Sequence, residues 1–544
     1  MLVLGLGVLI LSLIGLLGRP ADPQPRRQSL TPCRDAGDRH YTALVFGDEP
    51  AGVMTALALQ HELRRLRPDQ PATVALVTDA DTRLGLGGVI ARGGLAYLDR
   101  NQIPLDFRSR LPAFAPSSAL YQEFLDLTGT GRIAVDPQRA SQRFRQRLQQ
   151  AGIPVLDRAQ LRSVQTEGPR ICTLRSGRWG ELGADLFIDA SLGADLAHRA
   201  GVPFTSGFAQ VGLPTSSLAL GWVFEVTGLS LADFRRVEDR LSRRLLDPRD
   251  HQAQGWLAQW PQYRSHHQRL VDDLQDWNGQ VAETLQWTPD SADQQSPALA
   301  IAFHGQTHLP ADLRRSPVRL DLANIALLPG RLSFNALLLR NDAAQNRRIL
   351  AGGSRPLPWM RPYAAAVTRF FKGLGAHEVH WMPELYVRSA DQLRDPLEPL
   401  TAQQMAWGGV PGDEALGTFS YNLDFRGGLP GISHQPRPTF NFGYRHTLPR
   451  NRSNLAVLGP AAGYGGLGAG AGRIIELNIS SGAGVAIASA LALRDGVALA
   501  DVDPAMVPRL LSHPTLVYGR PTLESLWGLL LNGAGRWWQQ TGRG

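Results

Sequence analysis

From Tyr41 to Phe46 the chain reads YTALVF, mostly apolar, and beyond Gly47 the pattern changes to apolar residues every three or four positions up to about Arg67. A short apolar run predicts a strand covered on both faces, and the longer period predicts a helix, so this stretch is a strand, a glycine turn and a helix. After RPDQP a second run, ATVALV, predicts another strand, ending at Thr78 and Asp79. Further on, Asp136 is placed to cap a helix with Pro137 in its first turn, Phe144 and Leu148 on its apolar face and Gly152 as its stop. A strand at Ile153–Leu156 follows. From Leu161 to Ala190 the pattern predicts antiparallel strands with a turn at Ser176 and Gly177, then a buried strand at Leu186–Ile188. The fold class is therefore α/β, a parallel sheet with a β-meander inserted in it.

The strand-to-helix turn carries candidate chemistry. Gly47 supplies the tight turn, Pro50 suits the first helical turn, and Gly52 lets helix and strand approach, so that the helix amides can hold a pyrophosphate. In the G-x-G-x-x-G pattern the second glycine is replaced by Glu49. Because Pro50 fixes the next φ, the Glu49 carboxylate is expected to point away from the phosphate path. Asp79, or Thr78 before it, stands where an adenosine ribose is bound.

Composition narrows the picture. With 544 residues, 43% hydrophobic and 19% charged, the chain is long enough for two or three packed domains and too apolar to be disordered. Its basic surplus, 56 minus 48 or +8, is almost all arginine, with Lys372 as the single lysine. Arg143, Arg145 and Arg147 interleave with glutamines as on a solvated helix face, and no zinc spacing or basic-aromatic stripe points to nucleic acid. An anionic membrane surface suits the charge better. Cys33 and Cys172 build neither a redox pair nor a metal cluster, and two cysteines in so long a chain suit a reducing compartment, with Cys172 as a small buried hydrophobe.

The first 18 residues, MLVLGLGVLILSLIGLLG, are uncharged and apolar. They read as an uncleaved anchor, with Arg19, Arg26 and Arg27 holding the body in the cytoplasm, or as a signal for export. An over-extended start is a third reading. The tail from 501 to 544 combines tryptophans with arginines and reads as an interfacial segment or a docked terminal helix.

FIDASLGADLAHRAGVPFTSG resembles the D-A-T-Y-E-G-D-L-x-x-x-A-G-V stretch of FAD-dependent oxidoreductases with a glutathione-reductase-type Rossmann domain, through Asp189, Ala190, Ser191, Asp195, Leu196, Ala200, Gly201 and Val202. Four later stretches, MPELYVRSADQL, ALGTFSYNLDFRG, FGYRHTLPRNRSNLAVLGPAAG and GAGRIIELNISSGAGVAIASALAL, are similar in order to blocks of the same family. The resemblance implies a discontinuous FAD-binding domain at 40–214 and 441–500, an α+β substrate domain at 215–440, a linker at 19–39 and a tail at 501–544. It implies that Gly47, Pro50, Ala51 and Gly52 face the FAD pyrophosphate, that Asp79 or Thr78 meets the ribose, and that Gly87 and Gly88 pass the ribityl chain. Val155 would meet the adenine, and Gly459, Arg473 and Gly482 the flavin end. The R-E-G-R-R block of the family appears here as Arg388, Ser389, Ala390, Asp391 and Gln392. His446 is the candidate catalytic group near the ring, Arg388 and Arg445 are candidates for an anionic substrate, and no metal site is expected.

The implied activity is hydride transfer between a small organic substrate and non-covalently bound FAD. A nicotinamide-dependent dehydrogenase and a flavin-fold binding module without catalysis are the alternatives. Neither substrate nor oligomeric state is legible.

Overall fold

The computed structural model describes Cys33 and residues 37–103, 117–131, 133–260, 294–389, 391–429, 432–435, 437–512, 517 and 519. The apolar run at 1–18 and most of the tail lie outside the described residues.

A seven-stranded sheet carries the predicted strands β1 (Arg39–Phe46), β2 (Val74–Val77), β3 (Val155–Leu156), β4 (Leu161–Glu167), β5 (Arg170–Ser176) and β6 (Gly180–Asp189), joined by β7 (Leu455–Val457) from far along the chain. Its order is β3-β2-β1-β6-β5-β4. β1 runs parallel to β2 and β6, with Phe46 opposite both Val77 and Asp189. The ten-residue β6 is shared, since Gly180–Gly183 pair antiparallel with β5 while Phe187–Asp189 pair parallel with β7. The parallel strands thus end together at Phe46, Val77, Asp189 and Val457, the edge at which open α/β sheets bind ligands.

Helices cover the face that holds the first core. In α1 (Pro50–Leu66) proline opens the helix, where its missing N–H is no loss. α2 (Gly88–Ala91) is a single turn, and α3 (Pro137–Ala151) is capped by Asp136, which accepts from the amides of Gln138 and Arg139, and stops at Gly152 with φ +74°. The other long cover is α4 (Ile475–Asp495), rich in Ala, Gly and Ser and buried from Glu476 to Ala492. It is long and apolar enough to cross a membrane by composition, but 89% of that stretch is buried inside the protein, so it is a core helix. Gly482 faces Thr55 of α1 rather than the cleft, and this close helix packing, not flavin contact, explains the glycine.

The second core is an antiparallel sheet in which Leu220–Thr227 lies between Arg331–Leu339 and Glu378–Trp381, with Ala323–Leu328 and two shorter strands beyond. Phe224 stacks on Phe334 at 5.0 Å, and Phe371 closes against both rings. Helices Leu231–Leu246, Pro297–Thr307 and Arg361–Gly373 cover this sheet. This core ends at Val387, whereas Leu400, Phe419, Tyr421, Phe425 and Phe440 pack into the first core. The stretch at 215–440 therefore contributes to both cores, because alternating strands reveal a buried face without revealing which sheet buries it.

Cys33 and Cys172 form a disulfide with Cα atoms 5.7 Å apart, closing a loop of 139 residues. This corrects the reading of Cys172 as a small buried thiol.

Candidate functional site

At the carboxyl edge of the sheet, Gly47 has φ +104°, and a Cβ there would strike the backbone of Ala190 and Ser191. A Cβ on Gly52 would stand 2.5 Å from the Gly47 carbonyl oxygen, so the turn needs both glycines. Between them the side chains do something the pattern does not show. Asp48 is buried and accepts from the Gly87 amide at 3.1 Å, the Gly88 amide at 3.4 Å and the Thr78 hydroxyl at 3.0 Å. Arg92 Nη1 donates to it at 2.5 Å, and Arg92 Nε donates to Glu384 at 2.7 Å. Burial opposes the Asp48 charge, but Arg92 and the amides outweigh it and hold the carboxyl below its ordinary range.

Glu49 does not point away from the phosphate path. Its carboxylate lies against Gly88 and accepts from the Val89 amide at 2.9 Å, which corrects the expected outward direction. The amide is an unsatisfied donor at the start of α2, and it captures the nearest carboxylate. Burial, and then the Asp48 charge, push Glu49 up to about 8. Gly87 and Gly88 thus lie beside the turn, with their amides already occupied by Asp48.

A narrow cleft with a cavity volume of about 30 Å³ opens from this turn. Glu49, Pro50 and Ala51 bound it at one end and Gly459, Arg473 and Asn478 at the other, with Ala190 beneath and Tyr386 from the strand-rich second layer above. A wider hollow of about 440 Å³ around Trp407 and Val410 has Glu398 as its one titratable lining residue among the described residues and lies apart from the turn. Gly459 has φ +98° and nothing within 4 Å of where a Cβ would stand. Its amide donates to Asn478 Oδ1 at 3.2 Å, and Asn478 Nδ2 is fixed on the carbonyls of Gly472 and Ile474.

The remaining candidates divide. Asp79 is exposed and accepts from the Leu161 amide at 2.8 Å, on the rim near β3, where Val155 pairs with Leu76. Asp189 is fully buried and serves the fold, accepting from Ser191 and from the Ala197 amide, and burial pushes it up to about 7. His446 does not line the cleft. Its Nε2 lies 3.2 Å from the Tyr464 hydroxyl, which donates to Asn478 at 2.9 Å, so it supports the Gly459 amide through two side chains. Burial lowers it to about 3, which keeps the ring neutral at ordinary pH. Asp48, Arg92, Glu384 and Asn478 were not singled out from the sequence. The one available signal was Arg92, the sole charge in the run Leu84–Tyr97.

The model of the family described as FAD dependent oxidoreductase matches residues 43–511, most of the chain. The chain belongs to the FAD-dependent oxidoreductase family. Its cofactor is FAD. No curated protein matches this oxidoreductase in sequence. Among solved structures it is similar to AlpK, at 13% identity and a TM-score of 0.32 over 83% of this chain and 61% of that one. It is also similar to Thermovibrio ammonificans THI4, at 18% identity and a TM-score of 0.21 over 31% of this chain and 66% of the other. A third is T. acidophilum thioredoxin reductase, at 12% identity and a TM-score of 0.17, covering 28% and 36%. The matched region spans less than two thirds of these known chains.

The residues of the oxidoreductase fit FAD with one condition. At the far end, Gly459 leaves open exactly the space a Cβ would fill, beside the cleft. At the phosphate end, the Gly47–Gly52 turn has the required close approach, and the Glu49 carboxylate must leave the Val89 amide before a pyrophosphate can take that donor.

Proposed function

We propose that the protein is an FAD-dependent oxidoreductase that moves hydride between a small organic substrate and a non-covalently held flavin. The observation that carries this reading is the single cleft running from the Gly47–Gly52 turn to the Gly459 amide held by Asn478. FAD, when bound, supplies the hydride chemistry. The chain's own groups orient and shield: Asn478 aims the Gly459 amide, neutral His446 fixes Tyr464 against Asn478, and Tyr386 and Val387 exclude water from above. Arg473 places a permanent positive charge at that end. The protein purified after expression with its leader should be yellow, and acid precipitation should release the flavin into solution. Flavin retained in the pellet would make the link covalent, and a colourless protein that takes up no FAD would favour the non-catalytic module.

Residues 1–18 support membrane association. The Cys33–Cys172 bond supports the export reading over a cytoplasmic body. Alkylation of thiols in intact cells, followed by mass analysis, separates the two, because a cytoplasmic body would present both cysteines reduced.

A further inference from the structure

Arg473, which lines the cleft, belongs to a buried cluster of guanidinium groups. Arg473, 5% exposed, donates through Nη1 to the Tyr386 hydroxyl at 2.9 Å and through Nη2 to the Tyr421 hydroxyl at 3.2 Å. The same two nitrogens reach Asp99 at 3.4 Å and Asp424 at 3.1 Å. Its Nε is buried and has no partner. Arg388 pairs with Asp424 and likewise keeps a buried Nη1 without a partner. Arg426 bridges Asp424 and Asp321, and Arg319 lies 3.1 Å from Asp321. Four guanidiniums, Arg319, Arg388, Arg426 and Arg473, therefore share three carboxylates, Asp99, Asp321 and Asp424. Arg319 also faces Asp312, which Arg314 neutralises, and arginine stays protonated in proteins, so among the described residues the surplus is one permanent positive charge beside a cleft whose wall includes Arg473 and Tyr386.

An unbalanced buried cation with an unused donor is costly to keep unless an anion completes it. We propose that this cluster is the seat for the carboxylate of the substrate, a small organic monocarboxylate whose reacting carbon extends under Tyr386 toward Gly459. The inference rests on the proposed function and names its substrate class. A monoanion matches the single surplus charge, and the planar guanidinium matches the carboxylate in shape. Tyr421 acts as a positioning residue, since its hydroxyl holds Arg473 Nη2 and it does not line the cleft.

The full chain is titrated calorimetrically with benzoate and with benzamide, its neutral counterpart, and flavin content is read separately from visible absorbance. Benzoate should bind at least about tenfold more tightly than benzamide, the size expected of charge-assisted hydrogen bonds. Arg388→Gln should weaken benzoate by about tenfold to a hundredfold while leaving benzamide unchanged. That variant should fold, because Asp424 keeps Arg426 and Arg473 as partners. Tyr421→Phe should weaken benzoate by a few fold, about the value of one neutral hydrogen bond, with flavin content retained. Equal binding of benzoate and benzamide, or undiminished benzoate affinity in folded Arg388→Gln, overturns the seat, even in a protein that carries flavin. A wild-type protein that takes up no FAD on reconstitution overturns the proposed function instead.

Discussion

The two ends of the cleft are opposites in charge. At the turn, Asp48, Glu49 and Glu384 gather around Arg92, with Arg355 near Glu384, while at the far end the surplus among the described residues is positive. Yet the turn is the end proposed to receive a pyrophosphate. The difference teaches that backbone geometry and side-chain electrostatics are separately set: the glycines build a dinucleotide turn, and the acids beside them occupy the donors it offers. Affinity for FAD is then the affinity of the cradle less the work of moving or neutralising Glu49.

Breaking the acidic end outright should have the largest effect. Replacing Arg92 by Met leaves buried Asp48 without its cation, and the expected loss is about 3–5 kcal/mol in urea unfolding, as for other buried pairs broken on one side. A loss below about 1 kcal/mol would show that the amides of Gly87 and Gly88 suffice for Asp48. Gly52→Val comes next, because its side chain would push against the Gly47 carbonyl and Ala190 and open the turn. The folded variant should lose FAD altogether by absorbance, and unchanged flavin content would remove the turn from the cofactor site.

Glu49→Gln sharpens the comparison with the smallest change. Its folded pKa, raised to about 8, lies above the ordinary 4.5. The native state therefore binds the proton more tightly, and wild-type stability should fall as pH rises from about 4.5 through 8. Glutamine should remove the part of that fall that lies between about 7 and 8, leaving the part at lower pH to which Asp189, raised to about 7, also contributes. It should also tighten FAD little near pH 6, where Glu49 is already protonated, and strongly near pH 9, by about tenfold for each 1.4 kcal/mol of repulsion removed. A pH-independent difference between mutant and wild type in an FAD titration would mean that Glu49 does not titrate at the site.

The parts of this molecule legible in advance are those governed by local pattern. The strand Tyr41–Phe46, the helix opened by Asp136 and Pro137 and closed by Gly152, and the meander turn at Ser176 all depend on residues a few positions apart. What was not legible depends on distant partners. Nothing near Arg92 announces Glu384, and nothing near Cys33 announces Cys172. Gly482 sits in a helix small on every side, so its sequence does not say whether cleft or neighbouring helix claims it. Glu49 was misdirected because φ of the following proline constrains the backbone and leaves the carboxylate free to find the Val89 amide.

The late arrival of β7 sets a timetable for synthesis. β6 ends at Asp189 and β7 begins at Leu455, so 455 minus 189, or 266 residues, are made while the upper edge of β6 lacks its parallel neighbour. At about 5–20 residues per second that is roughly 13–53 s during which a growing chain presents an open strand edge and an uncovered face awaiting α4. The intervening antiparallel layer folds from its own contiguous stretch and can bury its aromatics meanwhile. The first domain begun is therefore the last completed, and it is the nascent nucleotide sheet that most needs a chaperone's protection from other chains.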